Sequence, residues 1–261
     1  MRTIISWCRF VLLVLLMIYI IAGSYLAYPI IPFKWWRKYF HRPWARAMLW
    51  GAGGRFEVTG SIGDDYIQPN TMFVQNHVSW LDTLVMSSKY CTNYVGKAEM
   101  LKWKLLSNLI KSGGTVFIDR KNKRELVLAN KKIAAVLMDG WGMGLFAEGT
   151  TSDGETVLPF HASIFESAMI AKSRIVPVII RYRNLDGSPC KDVTFSKKKW
   201  METVWNTLRL KGFIIKLDIL EPVQATDFPN REAISKYMYE KISSVYHSDL
   251  ATEARPYGEE A

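Results

Sequence analysis

The chain carries at residues 71–82 the stretch Thr71-Met72-Phe73-Val74-Gln75-Asn76-His77-Val78-Ser79-Trp80-Leu81-Asp82. The apolar run at its start predicts a short buried strand, and residues 81–88 predict the helix that follows. Five residues turn through roughly 500° on a helix of about 3.6 residues per turn, so His77 and Asp82 would not share a helix face. They can meet if His77 ends the strand and Asp82 lies in the first helical turn. The stretch therefore predicts a strand–loop–helix unit of an α/β fold.

The pair His77 and Asp82 is a candidate general base. Imidazole titrates near neutral pH, and a buried carboxylate can fix its tautomer and stabilise the imidazolium that forms on proton uptake. Ser79 and Asp82 also match a helix-capping box, which would require no chemistry. The stretch alone leaves both interpretations open.

Three further blocks follow in a fixed order: Gly-Gly-Thr-Val-Phe-Ile-Asp-Arg at 113–120, Phe-Ala-Glu-Gly-Thr at 146–150 and Ile-Val-Pro-Val-Ile at 175–179. Together with the first stretch, these blocks resemble the glycerolipid acyltransferase family typified by 1-acyl-glycerol-3-phosphate acyltransferase. The resemblance covers about residues 56–180 and implies a mixed central sheet flanked by helices, a fold similar to that of glycerol-3-phosphate acyltransferase. It also implies acyl transfer from a thioester of acyl carrier protein or coenzyme A to the hydroxyl of a lysolipid.

Within this resemblance, His77 carries over as the catalytic base and Asp82 as its orienting partner. Glu148, Gly149 and Thr150 carry over as the block that helps to bind the acceptor and to order the site, and they follow a predicted strand, a natural place for site residues. A simple turn, favoured by Gly149, is the alternative for this block. A Ser-His-Asp hydrolase is disfavoured, because the chain lacks a Gly-x-Ser-x-Gly nucleophile elbow.

Thr151 departs from the family pattern, which usually has an Arg here to bind the acceptor's phosphate. Arg120 could replace that Arg, because a guanidinium offers a bidentate fork for phosphate. Lys97 resembles a family Lys between the first two blocks, and a solvated surface Lys is the alternative. Pro177 matches the fourth block and is expected to shape an apolar strand. His161 has no acidic residue at a helpful spacing and is interpreted as structural.

The N-terminal segment predicts a membrane anchor. No side chain from Phe10 to Phe33 is charged, and ~20 such residues at ~1.5 Å each would span the ~30 Å hydrocarbon core. A cleaved signal peptide is the alternative, since Arg2 and Arg9 precede the run, but no small-x-small site ends it. Residues 34–42 mix Trp and Tyr with Lys and Arg, which favours the headgroup level and the cytoplasmic side. We therefore expect the body of the protein on the cytoplasmic side, at the inner membrane if the source is bacterial.

Composition narrows the function classes further. With 49% hydrophobic and 22% charged residues, the chain can form a substantial core. Its net charge of +10 indicates an acidic partner, and the anchor favours an anionic membrane surface over nucleic acid, for which no motif is present. Three scattered cysteines, with no HExxH motif and no nucleotide-binding Gly-rich loop, indicate a reducing compartment and no metal or other cofactor.

The predicted organisation is a membrane anchor with an interfacial helix (1–54), an acyltransferase domain (55–250) and a flexible tail (251–261). Alternating strands and helices predict an α/β domain with a parallel or mixed sheet. The predicted strands are 72–76, 92–96, 115–118, 143–147, 175–182 and 212–220. The predicted helices are 43–50, 81–88, 99–110, 123–138, 161–172, 200–208 and 230–247.

The leading functional prediction is conversion of 1-acyl-glycerol-3-phosphate to phosphatidic acid. A lyso-ornithine-lipid or other lysolipid acceptor is the alternative within the same chemistry, suggested by Thr151. A non-catalytic membrane scaffold is the alternative from another class, and the intact set His77, Asp82 and Glu148 counts against it.

Overall fold

The secondary-structure elements alternate along most of the chain in the computed structural model, which describes residues 2–118, 123–195 and 199–253. A π-helical turn, Arg37–His41, joins the second and third helices. The helices are α1 (Arg2–Leu26), α2 (Phe33–Trp36), α3 (Arg42–Ala52), α4 (Asp82–Lys89), α5 (Ser107–Ser112), α6 (Lys123–Met138), α7 (Glu166–Ala171), α8 (Trp200–Arg209) and α9 (Arg231–Glu253). The strands are β1 (Gly54–Thr59), β2 (Thr71–Gln75), β3 (Thr92–Asn93), β4 (Val95–Lys97), β5 (Val116–Ile118), β6 (Gly142–Phe146), β7 (Arg174–Arg183), β8 (Phe213–Ile219) and β9 (Val223–Gln224).

Among the described residues, seven strands form one central sheet in the order β1-β8-β7-β2-β6-β3, with β9 paired to β7. Strand β2 is parallel to both β6 and β7, whereas β7 and β8 are antiparallel, so the sheet is mixed as predicted. The register aligns Gln75 with Phe146 at the carboxyl ends of β2 and β6. This alignment brings the loop after β2 beside the turn after β6, where two of the sequence blocks lie. Strands β4 and β5 form a separate two-stranded sheet.

Strand β2 supplies residues to hydrophobic cores on both faces of the sheet. Phe73 packs with the N-terminal helices, α4 and α8, while Met72 and Val74 pack with α6, α7 and α9. All five residues of β2 are buried. A strand covered on both faces has a continuous apolar sequence rather than an alternating one, which explains why this stretch was recognisable.

The N-terminal helix α1 packs along the body of the protein. Leu13 and Ile20 are buried in the core shared with α3 and α8. Near one end of α1, the Arg9 guanidinium donates to the Leu210 carbonyl (2.6 Å), and near the other end the Tyr25 hydroxyl donates to the Lys104 carbonyl (2.5 Å). Residues 3–26 are long and apolar enough to cross a membrane, but both ends of the helix are held by the body.

Several predicted elements differ in detail from the structure. The predicted helix 99–110 is a 3₁₀ helix at Ala98–Lys102 followed by the short α5. Leu101, Trp103 and Leu105 are all exposed, and Leu109 in α5 is buried, so the first half of the segment lacks the buried face that would continue the helix. The predicted strand 92–96 divides into β3 and β4, which belong to different sheets.

Strands β1 and β9 were not predicted from the sequence. β1 is an edge strand with five of its six residues exposed, and β9 has only two residues. Neither offers the apolar run by which a strand is recognised. At the other end of the chain, α9 continues to Glu253, and the rest of the expected tail lies outside the described residues.

Candidate active site

His77 and Asp82 are in direct contact. His77 lies just beyond β2, Asp82 is the first residue of α4, and the His77 Nδ1 to Asp82 Oδ2 distance is 2.8 Å. The backbone N–H groups of Val78 (2.8 Å) and Ser79 (2.9 Å) donate to the same carboxylate oxygen. Asp82 therefore makes the backbone contacts expected of a helix-capping residue, and it also orients the imidazole of His77.

The second oxygen of Asp82 has a partner from a distant strand. The Tyr182 hydroxyl of β7 donates to Asp82 Oδ1 (2.7 Å), and both side chains are buried. Burial raises the pKa of Tyr182 well above 10, and the negative charge of Asp82 raises it further, so the hydroxyl stays protonated. Tyr182 was not predicted as a site residue from the sequence. The sequence shows a tyrosine near the end of an apolar strand, but Asp82 lies 100 positions away, so the pattern does not predict their contact.

The remaining ring nitrogen of His77 is available for chemistry. A carboxylate can only accept hydrogen bonds, so Nδ1 carries the hydrogen and Nε2 presents a lone pair when the ring is neutral. The side chain is 23% exposed and lines a cavity of about 1060 Å³. The Phe146 ring stacks on the imidazole with the ring centroids 3.9 Å apart, and Tyr94 stacks on Phe146 in turn. These aromatic rings fix the orientation of the base at the cavity wall.

Glu148 is buried behind the cavity wall. Its Oε1 accepts the His77 N–H (2.8 Å) and its Oε2 accepts the Leu158 N–H (3.0 Å). Burial raises the pKa of the Glu148 carboxyl, and the two N–H donors oppose this shift. Glu148 thus connects the loop of the base to the loop that follows β6. These contacts fit the ordering of the site, one of the two roles that the resemblance implied for this block.

The other residues of this block face the cavity. Gly149, Thr150 and Thr151 all line it, and Lys97 at the end of β4 lines it from the opposite sheet. Gly149 has a φ of +69°, a conformation that favours glycine. Of the other predicted residues, Pro177 is paired with Val74 in the buried sheet, where it shapes the core. Arg120 lies outside the described residues.

His161 also lines this cavity, although the sequence analysis interpreted it as structural. Its backbone N–H donates to the Ala147 carbonyl (2.9 Å), which brings the chain back beside the end of β6. A Cβ on Gly149 would lie 2.7 Å from Cδ2 of the His161 ring, so the ring packs directly against that glycine. The side chain is exposed to the cavity.

The rest of the cavity wall is largely apolar, as expected for a site that receives a hydrocarbon chain. Within the described part of the chain, no group of three or more His, Cys, Asp or Glu side chains is arranged as a metal site. The arrangement provides a base fixed by a carboxylate at the edge of an apolar cleft. The apolar lining residues include Val95, Ile118, Ile133, Leu145, Ile164 and Ile170.

Comparison with known proteins gives consistent results. A family model described as acyltransferase matches residues 57–181. The chain is 31% identical over 182 residues to a 1-acyl-sn-glycerol-3-phosphate acyltransferase of Neisseria gonorrhoeae, covering 69% of this chain and 71% of that protein. It is 28% identical over 250 residues to a lyso-ornithine lipid O-acyltransferase of Brucella abortus, covering 86% and 91% of the two chains.

The fold is also similar to that of a solved structure. The crystal structure of the 1-acyl-sn-glycerophosphate acyltransferase PlsC from Thermotoga maritima superposes with a TM-score of 0.69. The match covers 99% of this chain and 100% of that one, at 20% sequence identity.

Proposed function

Because this chain belongs to the acyltransferase family, we propose that it transfers a fatty acyl chain from a thioester to the free hydroxyl of a lysolipid. The proposed acceptor is 1-acyl-glycerol-3-phosphate and the product is phosphatidic acid. The observation that carries the proposal is the 2.8 Å contact of His77 with Asp82 at the wall of an apolar cavity of about 1060 Å³. That cavity offers a fixed base and room for hydrocarbon in one place.

In the proposed reaction, His77 Nε2 takes the proton of the acceptor hydroxyl as its oxygen attacks the thioester carbonyl. Asp82 stabilises the imidazolium that forms, as a buried carboxylate beside a catalytic His does. Collapse of the tetrahedral intermediate breaks the carbon–sulfur bond, and the departing thiolate takes the proton back from the imidazolium. The acyl group passes directly from the thiol to the hydroxyl, and no covalent enzyme intermediate is required. The N–H groups of Val78 and Ser79 are already bound to Asp82, so their role is to fix the base.

The proposed acyl donor is a thioester of acyl carrier protein or of coenzyme A. The apolar wall formed by Ile118, Ile133 and Leu145 suits an acyl chain of either donor. A scaffold without activity would have no need for a buried carboxylate that accepts hydrogen bonds from His77, two backbone amides and Tyr182. Burying such a charge is costly unless its interactions are used.

A lyso-ornithine lipid is the second candidate acceptor. The observation that favours it is Thr151, which replaces the Arg expected for binding a phosphate. Relatives named for this acceptor are as similar as those named for 1-acyl-glycerol-3-phosphate, for example one from Pseudomonas aeruginosa at 32% identity over 178 residues. A competition between lysophosphatidic acid and lyso-ornithine lipid for the wild-type enzyme decides between the two. Preference for the second would overturn the leading acceptor and leave acyl transfer standing.

We further propose that α1 attaches the enzyme to an anionic membrane surface, with the body on the cytoplasmic side. The outward face of α1 is a stripe of exposed apolar side chains at helical spacing. Exposed aromatic residues of the following helices, including Trp35 and Trp50, extend it. Because Arg9 and Tyr25 hold both ends of α1 against the body, the arrangement favours a helix lying in the interface. The stripe comprises Ile4, Trp7, Val11, Leu15, Ile18 and Leu26.

The central test is acyl transfer by purified full-length enzyme in lipid–detergent micelles, with acyl coenzyme A and lysophosphatidic acid. Removing a general base costs about 10²–10⁴-fold in rate, so His77→Ala should lose activity by that order while keeping its thermal unfolding temperature. His247→Ala is the matched control, because His247 is exposed on α9, away from the cavity. Folded His77→Ala enzyme with turnover equal to that of the His247 variant would refute the mechanism.

A further inference from the structure

The departure at Thr151 raises the question of which side chain binds the acidic headgroup of the acceptor. Besides the candidate base His77, four of the described residues that line the cavity can carry positive charge: Lys97, Lys131, His161 and Arg231. We propose that His161 binds the anionic headgroup, a phosphate monoester in the leading case, at the site where a guanidinium is usual. This inference rests on the proposed function and assigns a residue to its headgroup subsite.

The position of His161 follows from the way the loop after β6 is closed. Glu148 accepts the Leu158 N–H (3.0 Å), and the His161 N–H donates to the Ala147 carbonyl (2.9 Å). The loop of residues 149–157 therefore begins and ends at the same point of the sheet edge. The return places His161 against the Glu148-Gly149-Thr150 block and beside Thr151, in the wall of the same cavity as His77.

Gly149 makes this close approach possible. A Cβ at this position would lie 2.7 Å from Cδ2 and 3.0 Å from Nε2 of the His161 ring, closer than side chains pack. The positive φ of +69° places the same requirement on the residue. The imidazole of His161 therefore has a fixed position against the Glu148-Gly149-Thr150 block.

The other cations are less well placed for this role. Arg231 forms ion pairs with Glu166 (3.4 Å) and Glu232 (2.9 Å), which compensate its charge. Lys131 is exposed on α6, a different element from the loop that carries the acceptor block. Lys97 is exposed at the end of β4 and can assist from the opposite side. Among the described residues, no carboxylate forms an ion pair with His161, so its charge is left for a ligand.

The surrounding charges favour an anion. The groups that face the cavity from the packed elements are His77, Lys97 of β4, Lys131 of α6, Glu166 of α7 and Arg231 of α9, and Glu148 lies buried behind the wall. An imidazole N–H can donate to a phosphate oxygen in either protonation state, but only the imidazolium adds a charge. Headgroup affinity should therefore depend on pH, which a guanidinium would not allow.

The test is steady-state kinetics of the full-length enzyme with lysophosphatidic acid at acid and at alkaline pH. We expect the wild-type KM for the lysolipid to rise severalfold from the acid to the alkaline side. His161→Gln should raise KM about tenfold on the acid side with little change in kcat. His161→Arg should keep KM low at every pH. Titration of the substrate's own phosphate is common to all variants, so the arginine variant corrects for it.

His247→Gln is the matched control and should behave as the wild type, and unfolding temperatures show whether each variant is folded. A KM for His161→Gln equal to that of the wild type across the pH range would overturn the inference. A lower kcat at unchanged KM would also overturn it, because it would place His161 in the chemical step or in the structure. Absence of transfer by the wild type would instead overturn the proposed function, before any variant is compared.

Discussion

Replacing Tyr182 by Phe would remove one hydroxyl from the support of the catalytic base. The Tyr182 hydroxyl is 2.7 Å from Asp82 Oδ1, and the other three donors all bind Oδ2. The ring would keep its packing against Phe213, with centroids 6.0 Å apart. Phe at this position therefore leaves one oxygen of a fully buried carboxylate without its donor.

The size of the effect follows from the charge of the acceptor group. A hydrogen bond to a charged group contributes about 1.5–3 kcal/mol, and about 1.4 kcal/mol changes a rate tenfold. We therefore expect kcat/KM to fall roughly ten- to a hundredfold if the bond is needed to hold the base. The Asp82 carboxylate would also retain more negative charge and stabilise the His77 imidazolium. The acid limb of the profile of kcat/KM against pH should then move to higher pH.

The assay is acyl transfer over a range of pH, with thermal unfolding of each variant measured alongside. Tyr66→Phe is the matched control, since its buried hydroxyl donates to the Ser87 carbonyl (3.0 Å) away from the base. Both variants should lose some stability, but only Tyr182→Phe should lose activity and shift the acid limb. If the two variants keep the same kcat/KM and the same pH profile, Tyr182 does not position the base.

Two further predictions concern the ordering residue and the membrane. Glu148→Gln keeps one accepting oxygen, but its amide nitrogen cannot accept the second backbone N–H. We therefore expect a loss of about 1–3 kcal/mol in the free energy of unfolding, measured by denaturant titration. An unchanged free energy of unfolding would contradict the role of Glu148 in connecting the two loops. Ile18→Lys places a charge in the exposed apolar stripe of α1 and should weaken sedimentation with anionic vesicles severalfold. Met138→Lys, at an exposed apolar position on α6, should not, and equal binding by both variants would argue against α1 as the attachment surface.

The sequence predicted those parts of the fold and site that depend on short-range order. The strand β2, the His77 loop and α4 are consecutive, so one apolar run and one spacing were enough to place an imidazole and a carboxylate together. The alternation of strands and helices predicted an α/β sheet, parallel or mixed, and the family resemblance implied that it is mixed. The edge strand β1 lacked such a signal, because five of its six residues are exposed.

The remaining parts depend on contacts between distant segments. Tyr182 reaches Asp82 only through the register of β7 in the sheet, and Glu148 turns inward because two amides from separate loops need an acceptor. The packing of α1 has the same origin. Its length and apolar composition fit a membrane span, whereas the bonds of Arg9 and Tyr25 to the body and the burial of Leu13 and Ile20 show a helix that lies against the domain.

The closed loop after β6 has a consequence for how this enzyme family can diverge. Glu148 and the His161 amide hold the two ends of the loop, and the Ser152 N–H inside it donates to the His77 carbonyl (2.8 Å), so the exposed residues Glu155 and Thr156 are the ones that can change without moving the base. Asp153 and Glu155 in its interior already make only local or exposed contacts. Substitutions at such positions can therefore change which headgroup is bound without loss of the catalytic base. The relatives of this chain that are named for two different acceptors are what such a separation of variable and fixed residues would produce.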